Sequence, residues 1–309
     1  MMPTLFFKNY FRDSNNSFQF SRGVGFVSNG VACVSGMDYG GTISPAPLSR
    51  PDLPSLKEWI KSCFGDADPV ESDYRLGTAY KRIALPFVPT GELHTVTDGA
   101  VVNESFVALK ILLFKMEEMF ETVEPSSSNM DTYGHRIREL LLIACMEVEA
   151  SWAAVLRANG YIKDRLTTKD YVKLLNPMIL DSYVVRLSSY HQFLPFAPFE
   201  GWRSDTPTQS LPWYEAYNQT KHNREDHLNA ATLRNAVYAV GAAVVMFYAQ
   251  FGVNFETADT RLPVIRNVFS LQFNGYGRPT ACYIPNIDPT IGNFGATWGL
   301  ELLDYPFPT

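Results

Sequence analysis

Ten residues in the last third of the chain concentrate more titratable chemistry than any other stretch of this length. The segment Asn218–His227, here called the polar segment, reads NQTKHNREDH and holds two of the five histidines. Histidine beside cationic side chains can act as a general acid or base, or can stabilise an oxyanion, while lysine and arginine can hold a phosphate. The polar segment is therefore the first candidate site.

The candidate residues divide by the chemistry of their side chains. The candidate catalytic residues are His222, Arg224 and His227. The candidate binding residues are Lys221, Asn218, Glu225, Trp213 and Tyr217.

A single helix from about Trp213 to Gly252 would position these side chains. Along such a helix, polar residues follow at spacings of four, three and four and form one line: Asn218, His222, Glu225 and Asn229. The line leads toward the edge of an apolar core stripe made of Leu233, Val237, Val240, Val244 and Phe251. Where the two meet, partial desolvation would bring His222 close to titration at neutral pH.

A structural alternative fits the same residues. The polar segment would then form the solvated first turns of the helix, with Glu225 and Asp226 near its positive end and His222 bonded to a neighbouring loop. The aromatic residues nearby also have two interpretations, since they could stack on bases or could pin a proline-rich loop to the helices. They are Trp202, Trp213, Tyr214 and Tyr217.

The second long helix carries a carboxylate that could serve the site. Glu147 and Glu149 flank its core stripe, and a buried glutamate here could orient His222 or pair with Arg224. Alternatively, the glutamate is exposed or at the rim of the core, paired with an arginine or lysine. Arg138 and Cys145 lie on the same side of this helix as Glu149, and Cys145 is expected to be a small core residue.

Composition and motifs narrow the function classes. The net charge of −6 and the pI of about 5.4 argue against a broad electrostatic nucleic-acid binder, though they leave room for a local basic pocket. The four cysteines are far apart and form no CxxC pair, and no HExxH, GxSxG or P-loop occurs. We expect no metal, no cofactor and no membrane span, and a cytoplasmic location.

Patterns along the chain predict an α+β fold with a helical middle. Residues 1–102 are β-leaning, residues 103–252 form a helical bundle, and residues 253–309 are again β-leaning and pack with the N-terminal segment as one unit. Long helices are predicted over Asn103–Val123 and Tyr133–Asn159, and a shorter one over Ser55–Phe64 with Ser55 as its N-cap. Predicted C-terminal strands are Val268–Phe273, Thr280–Ile284 and Thr297–Leu303.

The helical middle, about Asn103–Gly252, resembles the HEPN superfamily. The resemblance rests on two long helices, a shorter third, and a last long helix that begins with a Lys/His/Arg cluster. It implies a dimeric helical bundle. Many such proteins are metal-independent ribonucleases or nucleotide-acting enzymes in toxin–antitoxin and phage-defence systems, and others are inactive binding modules.

The active motif of that superfamily is Arg, four to six residues, then His, near the start of the last helix. Here Arg224 precedes His227 by only three, and Lys221 and His222 come before Arg224. A literal match, Arg186–His191 (RLSSYH), lies before the proline-rich loop instead.

Two functions remain open at this point. The first is a HEPN-like protein that engages RNA or a nucleotide through the polar segment, with metal-independent ribonuclease activity in a bacterial defence or toxin-type system, as a homodimer. The second is a non-catalytic structural or protein-interaction module. In an enzyme, histidine and arginine side chains should converge on one accessible pocket, whereas a module should hold such groups in internal bonds and expose an apolar patch elsewhere.

Overall fold

Strands open the chain and helices fill its middle, which confirms the α+β class. The computed structural model describes residues 4–12, 16, 18–28, 30–36, 43–64, 68–72, 77–85, 99–252, 261–275, 278, 283 and 301–308. The chain divides into two units. Unit 1 comprises Met1–Ala79, Leu85–Leu93 and Tyr276–Leu303, and unit 2 comprises Tyr80–Ala84, His94–Gly275 and Asp304–Thr309.

Unit 1 is built on an antiparallel sheet with one helix. The strands are β1 (Thr4–Arg12), β2 (Phe18–Ser28), β3 (Val31–Gly36), β4 (Ile43–Pro45) and β5 (Val70–Ser72), in the spatial order β4-β3-β2-β1-β5. The helix is α1 (Leu53–Cys63), and its Leu56 and Ile60 are buried in the core of this unit. It lies close over β2, since a Cβ at Gly25 would come within 2.7 Å of the Ile60 Cδ1.

The cap of α1 differs from the prediction. Asp52, not Ser55, is the N-cap, and its Oδ1 accepts the backbone N–H of Ser55 at 2.8 Å. Pro54 sits in the first turn of the helix, where the missing N–H costs nothing, so the helix starts earlier than Ser55.

Unit 2 holds the remaining helices. They are α2 (Gly99–Phe120), α3 (His135–Ala158), α4 (Thr168–Tyr171), α5 (Pro212–His222), α6 (Arg224–His227), α7 (Leu233–Phe251) and α8 (Arg261–Val268). Strands β7 (Tyr183–Leu187) and β8 (Phe269–Phe273) also belong to unit 2, whereas β9 (Glu301–Leu303) and the first two residues of β6 (Thr78–Tyr80) fall in unit 1. Strands β6 and β9 form one two-stranded sheet, and β7 and β8 form another, antiparallel one.

The two long helices predicted before residue 160 are confirmed, with small shifts at their ends. Helix α2 begins at Gly99, four residues before Asn103. Helix α3 ends at Ala158, and Gly160 follows with a φ of +74°, a left-handed conformation that glycine adopts without strain. The predicted strand at Val268–Phe273 is confirmed as β8, while residues 280–282, 284 and 297–300 lie outside the described residues.

Helix α7 is the centre of unit 2. From Ala239 to Gln250 every residue is buried, and the helix packs chiefly on α3, with further contacts to α2 and α5. A helix that is apolar on all sides needs neighbours all round, which α2, α3 and α5 supply. Opposite β7, Gly241 lets the Phe196 ring approach, because a Cβ there would lie 2.9 Å from that ring.

The prediction of one continuous helix from Trp213 to Gly252 is wrong. Helix α5 ends at His222, the single turn α6 follows, and α7 starts only at Leu233 after a short 3-10 turn. At Asn223 the backbone leaves the helical region (φ −140°, ψ 79°), and its side-chain amide donates to Asp226 Oδ2 at 2.6 Å. Asparagine and aspartate favour helix ends over helix interiors, and the segment offers no apolar face whose burial would keep a helix straight.

Candidate functional site

A carboxylate on α3 and a row of side chains on α5 form the main polar cluster of unit 2. The Tyr214 hydroxyl donates to Glu149 Oε1 at 2.5 Å, and the Tyr217 hydroxyl donates to Glu149 Oε2 at 3.1 Å. Lys221 Nζ donates to the Tyr217 hydroxyl at 2.8 Å and lies 4.8 Å from the centre of that ring. Since these α5 residues are three and four apart, they share one helix face, and a chain of hydrogen bonds runs from Lys221 to Glu149.

The environment of the cluster keeps its two tyrosine hydroxyls and the neighbouring Cys145 thiol protonated. Burial raises the pKa of Tyr214, and the hydrogen bond to Glu149 and its charge raise it further, so the phenol stays neutral and donates. Burial and the charge of Glu149 raise the pKa of Tyr217 in the same way. Burial also raises the pKa of the Cys145 thiol well above its ordinary value; the Glu149 charge adds to this and Lys221 opposes it. A buried neutral thiol is a poor nucleophile, so Cys145 serves the core as expected.

A second contact fixes the far end of α5. Arg138 on α3 donates to the Thr220 carbonyl oxygen from Nη2 at 2.8 Å and from Nε at 3.2 Å. A cation at the C-terminal end of a helix offsets the partial negative charge of its last carbonyls. Arg138 and Glu149 therefore both bond to α5, and together they fix the position of that helix on α3.

Glu149 is bonded within the bundle and does not orient His222 in the described part of the structure. Its hydrogen bonds come from tyrosine hydroxyls, and among the described residues its carboxylate accepts none from His222. It is half-buried and bound within the bundle, a position intermediate between a core and a rim carboxylate.

The break at Asn223 separates the predicted catalytic residues. His222 closes α5, whereas Arg224 and His227 belong to α6. Both histidines are exposed, and within the described part of the chain neither makes a hydrogen bond that would orient its ring. The third group that commonly orients a catalytic base is therefore not found for either ring among the described residues.

The predicted binding residues do not converge on one site either. The Asn218 amide donates back to the Tyr214 carbonyl at 2.9 Å, within α5, and Glu225 is exposed on α6. Lys221 is exposed but bonded to Tyr217. The polar line expected through Asn218, His222, Glu225 and Asn229 does not form, because it required the continuous helix.

The aromatic residues are buried, so the structural interpretation is correct for them. Trp202, Trp213, Tyr214 and Tyr217 are each exposed by 4% or less. Trp202, Trp213 and Tyr214 lie around the fully buried Trp152 of α3, whose ring stacks on that of Trp202 with centroids 5.0 Å apart. With their faces covered, Trp213 and Tyr217 cannot stack on a base in this packing.

The literal Arg186–His191 match lies on a strand and a turn. Arg186 is an exposed residue of β7, paired in register with Ser270 of β8, and His191 is exposed in the turn that follows β7. Neither residue lies on a helix, unlike the motif of the resembled superfamily.

Sequence reasoning missed an apolar face on α2. Val107, Ile111 and Phe114, here called the α2 stripe, are exposed by 55%, 52% and 61%. They follow at spacings of four and three, so they form one face, while Leu109, Leu113 and Met116 on the other face are buried. The signal was present, since α2 carries more apolar residues than one core-facing stripe needs.

Within the described residues, no group of three or more His, Cys, Asp or Glu side chains could hold a metal ion. No described helix has the length and apolar character needed to cross a membrane. No family model, no curated protein and no solved structure matches this chain.

Proposed function

We propose that this chain is a non-catalytic protein-interaction module that docks a partner on the α2 stripe. The exposed stripe itself carries the proposal. Three large apolar side chains, each more than half exposed on one face of a well-packed helix, leave water-contacting apolar area whose burial contributes about 25 cal/mol per Å². Contiguous apolar patches of this kind are typical of docking surfaces, whereas single exposed apolar residues are ordinary.

The polar cluster supports the same proposal. Its lysine, its tyrosines and its carboxylate bond to one another between α3 and α5. The buried tyrosines and the carboxylate between them stabilise the bundle and are not presented to a substrate. This arrangement is the one expected of a module and not of an enzyme.

Selection from a random peptide library displayed on phage tests the proposal on the full-length protein. We expect peptides that bind the wild-type protein and bind an Ile111→Asp variant at least tenfold more weakly. Ile162→Asp is the matched control, since Ile162 is 83% exposed and lies outside α2. Far-UV circular dichroism verifies that both variants fold. The proposal fails if no peptide is recovered, or if every recovered peptide binds Ile111→Asp as well as wild type.

A second candidate function is a HEPN-like protein that engages RNA or a nucleotide through the polar segment, as a dimeric, metal-independent ribonuclease of a bacterial defence or toxin-type system. What supports it is the exposure of Lys221, His222 and His227 within seven residues, beside a helical middle built from long helices. Exposed imidazoles and an ammonium group could reach a phosphodiester without rearrangement of the core.

The test for the second candidate is incubation of the pure protein with RNA in a chelating buffer, beside His222→Ala and His191→Ala variants. Cleavage that only His222→Ala abolishes would place chemistry in the polar segment, and cleavage that only His191→Ala abolishes would place it after β7. Intact RNA with all three proteins, together with no measurable RNA binding, would eliminate this candidate.

A further inference from the structure

We infer that the partner of the α2 stripe is a basic amphipathic helix, an inference that rests on the proposed docking function. The charges around the stripe favour a positively charged partner. The exposed charged residues of α2 are three acids and one base: Glu104, Glu117, Glu118 and Lys110. The other base, Lys115, is half-buried with its Nζ 3.9 Å from Glu139 of α3.

The acids continue the line of the stripe at both ends. Glu104 precedes Val107 by three residues, and Glu118 follows Phe114 by four, so each lies on the same face as the apolar side chains. The two carboxylates are 14 residues apart, which corresponds to about 21 Å along a helix. A partner helix of similar length would meet apolar side chains at its middle and a carboxylate near each end.

A second copy of the chain fits this surface poorly. An antiparallel pairing that sets Val107 opposite Phe114 also sets Glu104 opposite Glu117, because both pairs of numbers sum to 221. A pairing about a parallel twofold axis sets each glutamate beside its own copy. Like charges facing across an interface are unfavourable, and the net charge of −6 adds to the repulsion.

Nucleic acid and anionic lipid meet the same repulsion from these carboxylates. Lysine or arginine side chains flanking an apolar face at i, i+4 and i+7 satisfy both the stripe and its acidic ends. When one helix binds along the face of another, its affinity depends directly on anchor side chains at these spacings.

The probe is a fluorescent 18-residue synthetic peptide with leucine on one helical face and lysine on the other. Fluorescence anisotropy follows its binding to the full-length protein. We expect saturable binding that weakens at least tenfold with Ile111→Asp and with Phe114→Ser, and about threefold or more with the double change Glu104→Gln and Glu118→Gln. Added salt weakens binding, and Ile162→Asp leaves it unchanged.

Two control peptides separate this inference from the docking function. One has the same composition in scrambled order, without an apolar face, and the other carries glutamate in place of lysine. If the acidic peptide binds as tightly and depends on Ile111, the docking function stands and the basic partner is wrong. If neither amphipathic peptide depends on Ile111, or the scrambled peptide binds equally well, both proposals fail. A dimer in sedimentation velocity that Ile111→Asp dissociates would overturn the inference in favour of a second copy.

Discussion

Trp152 is completely buried, yet its indole N–H has no hydrogen-bond partner among the described residues. Its two tryptophan neighbours differ from it in this respect. Trp202 Nε1 donates to the Pro207 carbonyl and Trp213 Nε1 donates to the Pro198 carbonyl, each at 2.8 Å. The three indoles fill one apolar cluster, but only two of them also satisfy a backbone acceptor.

This difference predicts unequal costs for phenylalanine substitution. Trp152→Phe loses ring volume alone, whereas Trp213→Phe also leaves the buried Pro198 carbonyl without its donor. We expect Trp213→Phe to lower the free energy of unfolding by about 1–3 kcal/mol more than Trp152→Phe does. Urea unfolding followed by far-UV circular dichroism measures both. Equal losses would show that the hydrogen bond contributes nothing net.

Asp170 is the most strongly stabilised carboxylate of the described residues. Burial would raise its pKa, but hydrogen bonds to the ionised form outweigh burial and hold the pKa well below its ordinary value. The donors are Lys163, Tyr161 and Thr167, at 2.6–2.9 Å. Because the pKa is lower folded than unfolded, this carboxylate stabilises the protein above about pH 4 and loses that contribution as the pH falls further.

Asp170→Asn should therefore destabilise the protein at pH 7. The stability of the variant should also fall less steeply than that of wild type as the pH is lowered. The melting temperature of the variant should lie below that of wild type at neutral pH, with the gap narrowing below about pH 4. Asp205→Asn is the matched control, since the Asp205 side chain is 70% exposed. A gap that is constant from pH 7 to pH 3 would contradict the assignment.

At the scale of elements, the approach of β7 and its neighbour Phe196 to α7 depends on one glycine. Val185 of β7 bonds with Phe196 through both backbone groups, and the Phe196 ring stacks on Tyr238 of α7 with centroids 4.1 Å apart. A methyl group at Gly241 would meet both the Phe196 ring, at 2.9 Å, and Val185 Cγ2, at 3.2 Å. The ring also lies beside Phe193 and Phe269, with centroids 5.6 and 6.4 Å away, so it is closely packed.

In Gly241→Ala, the higher helix propensity of alanine opposes this steric clash. Alanine favours a helix interior by about 1 kcal/mol over glycine, while overpacking a filled core costs about 1–3 kcal/mol. We expect a net loss of stability, seen as a lower urea midpoint. Gly99→Ala is the control, because a Cβ at Gly99 has nothing within 4 Å. An equal or higher midpoint for Gly241→Ala would mean that Phe196 can move after all.

The elements differ in how far the sequence could predict them. Helices α2 and α3 carry apolar periodicity over five or more turns, a signal that is local and strong, so their positions were predictable. The end of α5 was not, because the apolar run of α7 extended the expected helix backward through Asn223. The bonds from Glu149 to Tyr214 and Tyr217 join residues 65 and 68 positions apart, and no local pattern encodes a contact of that range.

At the scale of the whole molecule, the charge of −6 bears on partners. A protein that binds nucleic acid through several phosphates shows affinity that falls steeply with salt. We expect no anisotropy change for a labelled single-stranded RNA at about 0.15 M salt. RNA binding would contradict this and would favour the second candidate function, if the logarithm of the affinity falls with the logarithm of the salt concentration at a slope of about −3 or steeper.

The stacked pair Trp152 and Trp202 gives the molecule an optical signature. Three of its five tryptophans lie in one cluster, and the rings of this pair are inclined by only 24°. Indole transitions so close together couple as excitons and give paired bands of opposite sign in circular dichroism. Such a couplet depends on the mutual orientation of α3 and the loop that carries Trp202, so it would vanish if the helices persisted while their packing loosened. A single spectrum could thus distinguish the native protein from a molten globule.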